Sequence, residues 1–174
     1  MPYEVFDLNP VDRITADAVG APGERVFYIQ ARKGSQLVTV LCEKEHVVAL
    51  TLATDQVLLS LAEGDVDAVI EPDPVGAAAM GLEYPVNPAF RAGQVNLGYD
   101  QVSQRLVVLA YELLPEEDTR EPSVARFWAT PAQMRAFSVH GQEVVAAGRP
   151  VCAMCGEPID PEGHFCPRRN GHRT

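Results

Sequence analysis

Three cysteines and a histidine near the end of the chain have the types and spacing of zinc ligands. Cys152 and Cys155 form a Cys-x-x-Cys pair followed by Gly156, and Cys166 follows further on, with His164 two positions before it. A Cys-x-x-Cys-Gly turn directs both sulfurs at one ion, and zinc prefers four nitrogen or sulfur ligands in a tetrahedron. The spacing therefore predicts one zinc ion held by Cys152, Cys155, His164 and Cys166.

The fourth ligand is either His164 or His172. In an extended segment, residues two apart point to the same side, so His164 and Cys166 can close on the ion together. His172 requires a longer excursion that passes through Pro167. We therefore prefer His164 and keep His172 as the alternative fourth ligand.

The ligand set predicts the role of the zinc. Four protein ligands leave no open coordination position, which is typical of a structural site. Structural zinc binding in small domains is worth on the order of 10–16 kcal/mol, enough to fold a tail with almost no core of its own. Disulfide pairing is not expected, because the N-terminus shows no secretory signal. A redox role is not expected either, since redox Cys-x-x-Cys motifs begin a helix after a strand.

The other candidates for chemistry are isolated residues. Cys42 ends a predicted strand and is expected to be a small buried hydrophobic residue. His46 and His140 lie on predicted helices, where exposed or core positions are commoner than catalytic ones. No phosphate-binding, dinucleotide-binding, zinc-protease or nucleophile-elbow motif occurs. The sequence therefore predicts no catalytic residue and favours a protein that is not an enzyme.

The charge distribution argues against nucleic acid. The net charge is −10, and between Glu45 and Ala89 there are eight acidic residues and no basic one. Phosphate backbones select Lys and Arg, so an acidic chain of this kind is a poor partner for them. No apolar run approaches the roughly 20 residues that span a bilayer. We expect a cytoplasmic protein without membrane insertion.

Hydrophobic periodicity predicts strands and helices for the first half of the chain. Alternation between Arg25 and Lys33 places Phe27, Ile29 and Ala31 on one face of a strand. An acidic, proline-rich segment at 64–88 is expected to be a surface connection, either a lid or a linker. The predicted elements are strands at Asp12–Val19, Arg25–Lys33 and Leu37–Cys42 and a helix at Glu43–Ala62.

The second half repeats this order. The final helix has the clearest start, because Thr130 can cap it, Pro131 suits the first turn and Gln133 completes a capping box. Gly148 is expected to end it. The predicted strands before it are Gly93–Tyr99, Arg105–Leu114 and Ser123–Ala129.

The predicted order of elements, βββαβββα, indicates an α+β fold. It favours a largely antiparallel sheet of about six strands with two helices packed on it. A small zinc-ribbon-like tail follows. We predict an α+β domain over residues 1–148 and a zinc-binding tail over residues 149–174.

Three runs of residues carry a family resemblance over nearly the whole chain. They are Val11–Thr15, Gly23–Gly34 and the ending from Ala147 to His172. With these runs the chain resembles an uncharacterised actinobacterial family of conserved hypothetical proteins. Its members are encoded near a lipid-kinase-like protein and a phosphoglycerate-mutase-like protein. The resemblance implies an intracellular actinobacterial protein and no known activity. Because tyrosine often replaces His172 in that family, it also implies His164 as the fourth ligand.

Three functions remain open from the sequence. The first is a non-catalytic protein-interaction or adaptor module in which structural zinc stiffens the tail for a protein partner. The second is an enzyme or small-ligand-binding protein with a pocket between the sheet and the 64–90 loop, lined by polar groups such as Arg25, Tyr28 and Arg105. The third is a nucleic-acid-binding zinc ribbon protein, which needs the tail arginines and Trp128 on one exposed face.

Overall fold

The structure is a computed structural model that describes residues 3–63, 80–147 and Met154. Cys152, Cys155, His164, Cys166 and His172 lie outside the described residues. The predicted domain boundary after residue 148 lies outside them too, as does most of the predicted connection at 64–88.

Seven strands and two helices occur within the described ranges. The α+β class is therefore confirmed, although the sheet has one strand more than predicted. Neither helix is long and apolar enough to cross a membrane. The elements are β1 (Val5–Leu8), β2 (Arg13–Val19), β3 (Val26–Lys33), β4 (Gln36–Cys42), α1 (Lys44–Ala62), β5 (Phe90–Asp100), β6 (Arg105–Glu112), β7 (Val124–Ala129) and α2 (Pro131–Ala147).

All seven strands belong to one sheet in the order β1-β7-β6-β5-β4-β3-β2. Neighbouring strands run antiparallel except in the β1–β7 and β4–β5 pairs, which are parallel. The additional strand is β1, which precedes the first predicted strand at Asp12–Val19. It runs along β7 from the pair Val5 and Val124 to the pair Leu8 and Phe127. A four-residue strand is too short to show a reliable alternation.

The segment between β1 and β2 joins the two edges of the sheet. The amide of Val11 donates to the carbonyl of Trp128 on β7 at 2.8 Å, and the amide of Asp12 donates to the carbonyl of Arg32 on β3 at 2.7 Å. Consecutive Cα atoms are only about 3.8 Å apart. The sheet is therefore curled until its two sides meet at this end.

One face of the curled sheet forms the core with the two helices. The predicted alternation of β3 is confirmed, since Phe27, Ile29 and Ala31 are all buried in this core. Phe127 on β7 and Phe137 on α2 are completely buried at its centre. We call this the inner face of the sheet and the opposite one the outer face.

The two helices cross where α2 has a glycine. A Cβ atom added at Gly141 would lie 2.8 Å from Cγ2 of Thr51 on α1. Beside the crossing, the hydroxyl of Ser138 donates to the Asp55 carboxylate at 2.6 Å. On α1, Thr51 is buried at this crossing, whereas Leu61 is 39% exposed. The missing side chain of Gly141 allows the two helices to approach closely at Thr51.

Both helices begin with reciprocal caps. The predicted capping box of α2 is confirmed, because the amide of Thr130 donates to the Gln133 side chain at 2.9 Å and the amide of Gln133 donates to the Thr130 hydroxyl at 3.1 Å. At α1, the amide of Glu43 donates to Nδ1 of His46 at 3.0 Å. His46 is therefore engaged in holding the start of its helix.

Candidate functional site

The outer face of β2, β3 and β4 carries a cluster of polar side chains. The strand registers pair Thr15 with Gln30 and Gln30 with Thr39, so these three residues form a row across the strands. All three are buried, with exposures of 2% or less. Buried polar groups require hydrogen-bond partners, which here come partly from the segment that follows residue 80.

Two arginines stand directly opposite each other beside this row. Arg13 on β2 pairs with Arg32 on β3 in the antiparallel register. Like charges at directly opposed positions destabilise a sheet unless an anion lies between them. A negatively charged group beside the two arginines is therefore expected on the outer face.

The carboxylate of Glu83 supplies the negative charge beside the two arginines. The Nε atom of Arg32 donates to both carboxylate oxygens of Glu83, at 3.0 and 2.9 Å. The Nη1 atom of Arg13 lies 3.4 Å from Oε2 of the same carboxylate. The carboxylate thus bridges the two guanidinium groups from the outer side of the sheet.

Gln30 holds the main chain of the same residue. Its Oε1 accepts from the amide of Glu83 at 2.8 Å, and its Nε2 donates to the carbonyl of Glu83 at 3.1 Å. Nε2 also donates to the hydroxyl of Thr39 at 3.0 Å, while Nη1 of Arg13 donates to Oε1 at 3.3 Å. A side-chain amide paired with both backbone groups of one residue copies the way a neighbouring strand holds a chain. We call Arg13, Gln30 and Arg32 the outer-face site.

The ion pair between Arg32 and Glu83 stabilises the charged form of both side chains. The hydrogen bond from Arg32 holds the pKa of Glu83 below its usual range, and the same bond raises the pKa of Arg32. Burial lowers the pKa of Arg13, but an arginine normally titrates so high that its guanidinium stays charged. At neutral pH the site therefore holds two cations and one carboxylate.

The segment at the outer-face site has few other attachments. The hydroxyl of Thr15 donates to the carbonyl of Met80 at 2.7 Å. The next backbone hydrogen bond after Glu83 joins the amide of Ala89 to the carbonyl of Thr39 at 2.8 Å. Tyr84, which follows Glu83, is 72% exposed. The described part of the predicted lid or linker therefore lies on the sheet and is held mainly at residues 80 and 83.

The residues predicted to line a pocket do not come together. Arg25 donates to the carbonyl of Val144 at the end of α2, at 2.6 Å. Arg105, at the start of β6, donates to the side chain of Asn9 in the segment between β1 and β2, at 3.0 Å. Tyr28 alone lies on the outer face of β3, paired in register with Leu41. The polar groups that do converge are Arg13, Arg32 and Glu83.

A shallow concavity lies at another place. It measures about 560 Å³ and lies between the last turns of α1 and the β5–β6 hairpin. Its lining is uncharged, with hydrogen-bonding side chains from the hairpin and both apolar and hydroxyl side chains from the helix. The lining residues are Val57, Ser60, Leu61, Tyr99, Gln101 and Gln104.

The single tryptophan is not in the core. Trp128 is half-buried, and its register pairs it with Val107 on the face opposite to Phe127. Its indole N–H donates to the carboxylate of Asp7 at 2.8 Å, and Arg126 also approaches Asp7, at 3.4 Å. A tryptophan on a strand that leads into a helix is usually a core residue, and Trp128 departs from that pattern. The carboxylate of Asp7 on the edge strand β1 binds both the indole and the guanidinium of Arg126 on the outer face.

The remaining candidate residues have structural positions. Cys42 is buried, and burial raises the pKa of its thiol to about 12, so it is no nucleophile at neutral pH. Nε2 of His140 on α2 lies 3.6 Å from Oδ1 of Asp17 on β2, beyond hydrogen-bond distance. Among the described residues, no group of three or more His, Cys, Asp or Glu side chains is placed to hold a metal ion. The predicted zinc ligands are not among these residues.

Comparison with known proteins identifies a family. A family model described as a protein of unknown function (DUF3090) matches residues 6–166 of the chain. The match includes all four preferred zinc ligands and stops before His172. Comparisons with curated proteins and with solved structures found no significant match.

Proposed function

The chain belongs to this family of proteins of unknown function, and we propose that it works in the cytoplasm as a non-catalytic protein-interaction module. One observation supports this proposal above the others. The outer-face site holds Glu83 through its main chain and its carboxylate together. Main-chain hydrogen bonds combined with a pocket for a side chain are a recurring means of peptide recognition, and here the side chain of Gln30 supplies the main-chain contacts.

The proposal includes a structural zinc ion in the tail, held by Cys152, Cys155, His164 and Cys166. Its support is the ligand spacing and the closed ligand set. His172 remains the alternative fourth ligand, and the family match that ends at residue 166 favours His164. In this proposal the zinc folds the tail, and the tail and the outer face both serve a protein partner.

The zinc is tested by a metal count on the purified protein. We expect about one equivalent of zinc in the wild type and its loss on Cys155→Ser, since a structural site needs all four ligands. Cys42→Ala is the matched control and should retain the metal, because Cys42 is buried in the core and its thiol stays protonated. His164→Ala should lose zinc while His172→Ala keeps it. A wild type with less than about half an equivalent would contradict the proposal.

The interaction role is tested by cross-linking and co-purification of the full chain from its native host. We expect a partner that is recovered reproducibly with the wild type and with Arg135→Ala, and recovered roughly tenfold less with Arg32→Ala. Arg135 is the control because it lies on α2, which packs on the inner face of the sheet, and its guanidinium is 3.8 Å from Asp55. Recovery that does not depend on Arg32, or no reproducible partner, would count against the module.

The two alternatives have less support. Binding of a small ligand rests on the open, neutral concavity between α1 and the β5–β6 hairpin, which lacks any charged lining residue. Binding of nucleic acid rests on the tail arginines, which are outside the described residues. Neither alternative accounts for the arrangement around Gln30.

A further inference from the structure

The outer-face site binds both the main chain and the side-chain carboxylate of one residue. Gln30 binds the amide and the carbonyl of Glu83, and Arg32 binds its carboxylate through both oxygens. A simple anion could satisfy the guanidinium groups but not the amide of Gln30. The chemistry that fits all of these groups is an acidic residue within a polypeptide, which presents an amide, a carbonyl and a carboxylate together.

The resident segment is open to solvent on one side. The side chains of Arg32 and Glu83 are 31% and 35% exposed. Tyr84, directly after the bound residue, is 72% exposed. An incoming peptide can therefore reach the guanidinium of Arg32 without opening the core.

Two of the sheet residues of the site, Gln30 and Arg32, also have partners within the sheet hairpin itself. Gln30 is also held by Thr39, and Nη1 of Arg32 donates to the carbonyl of Gly34 at 3.0 Å. Both residues lie within paired strands. When the segment leaves, the site remains formed on the rigid hairpin, which is the arrangement a binding site needs.

We propose that the outer-face site binds an acidic residue in an exposed segment of a partner protein, through its main chain and its carboxylate together, and that Glu83 is its built-in competitor. This inference rests on the proposed interaction role and specifies the chemistry of the partner. The resident segment occupies the site until a partner segment with the same combination of main chain and carboxylate replaces it. Removing the carboxylate of Glu83 therefore favours binding of a peptide from outside.

The test uses a fluorescein-labelled synthetic peptide with the sequence of residues 80–88 and the full-length protein. We expect the peptide to bind the Glu83→Gln protein roughly tenfold more tightly than the wild type, measured by fluorescence anisotropy. Changing the peptide's own glutamate to glutamine should weaken binding to the Glu83→Gln protein by about the same factor. Adding Arg32→Ala or Gln30→Leu to the Glu83→Gln protein should remove binding.

Three results would overturn the inference. The first is no peptide binding to the Glu83→Gln protein. The second is binding that survives both Arg32→Ala and Gln30→Leu. The third is displacement of the peptide by free inorganic phosphate or glutamate as readily as by unlabelled peptide, which would indicate a simple anion site. Because this test needs no cellular partner, peptide binding without a partner in the host would reject the proposed function alone.

Discussion

Gly141→Val is expected to lower the free energy of unfolding by about 2–3 kcal/mol, because overpacked cores lose stability on this scale. A Cβ at this position lies 2.8 Å from Cγ2 of Thr51 and 3.5 Å from Cγ1 of Val47. Thr51 cannot move aside easily, since it is 2% exposed and its hydroxyl donates to the carbonyl of Val48 at 2.9 Å. The two helices must therefore separate to admit the added methyl groups. Chemical denaturation of the wild type and the variant measures the effect.

A double-mutant cycle identifies the contact responsible. Gly141→Ala improves helix propensity by up to about 1 kcal/mol, yet we expect it to destabilise the protein, because the added Cβ meets Thr51. Thr51→Ser removes Cγ2 and keeps the hydroxyl. In the Thr51→Ser background, Gly141→Ala should be neutral or stabilising. If Gly141→Ala is stabilising in the wild type, the close crossing of α1 and α2 is wrong.

Much of the fold could be predicted because its elements obey their periodicities. The alternation of Phe27, Ile29 and Ala31 and the capping box at Thr130 are local patterns, and both are confirmed. Strand β1 was not predicted, because its pairing with β7 joins residues that are far apart in the chain. The burial of Thr51 could not be predicted from local patterns, because it depends on Gly141 in the other helix.

The candidate site was much less accessible to sequence reasoning. Arg13 and Arg32 carry a usable signal, since two arginines on one face of adjacent strands require an anion. Their pairing depends on the register across the glycine-containing loop at 20–23, and local patterns do not determine that register. Glu83 carries no signal at all, because it lies in an acidic and proline-rich stretch without periodicity. The tertiary structure alone determines which carboxylate forms the ion pairs with Arg13 and Arg32.

Gln30→Leu is expected to have the second large effect. The side chain is completely buried and makes hydrogen bonds to the amide and carbonyl of Glu83, to Thr39 and to Arg13. Leucine has nearly the same size but leaves these groups without a partner, at a cost of about 1–3 kcal/mol for a buried unsatisfied group. We therefore expect a loss of about 2 kcal/mol in the free energy of unfolding. Gln36→Leu, an exposed position on β4, is the matched control and should stay within about 0.5 kcal/mol of the wild type.

Hydrogen exchange at the amide of Glu83 tests the central claim most directly, since that amide donates to a side chain on the outer face. In the wild type we expect this amide to be protected. In Gln30→Leu it should exchange roughly tenfold faster or more, while the amide of Ala89, bound to the carbonyl of Thr39, changes little. An amide of Glu83 that exchanges freely in the wild type, or that is equally protected in Gln30→Leu, would contradict the outer-face site.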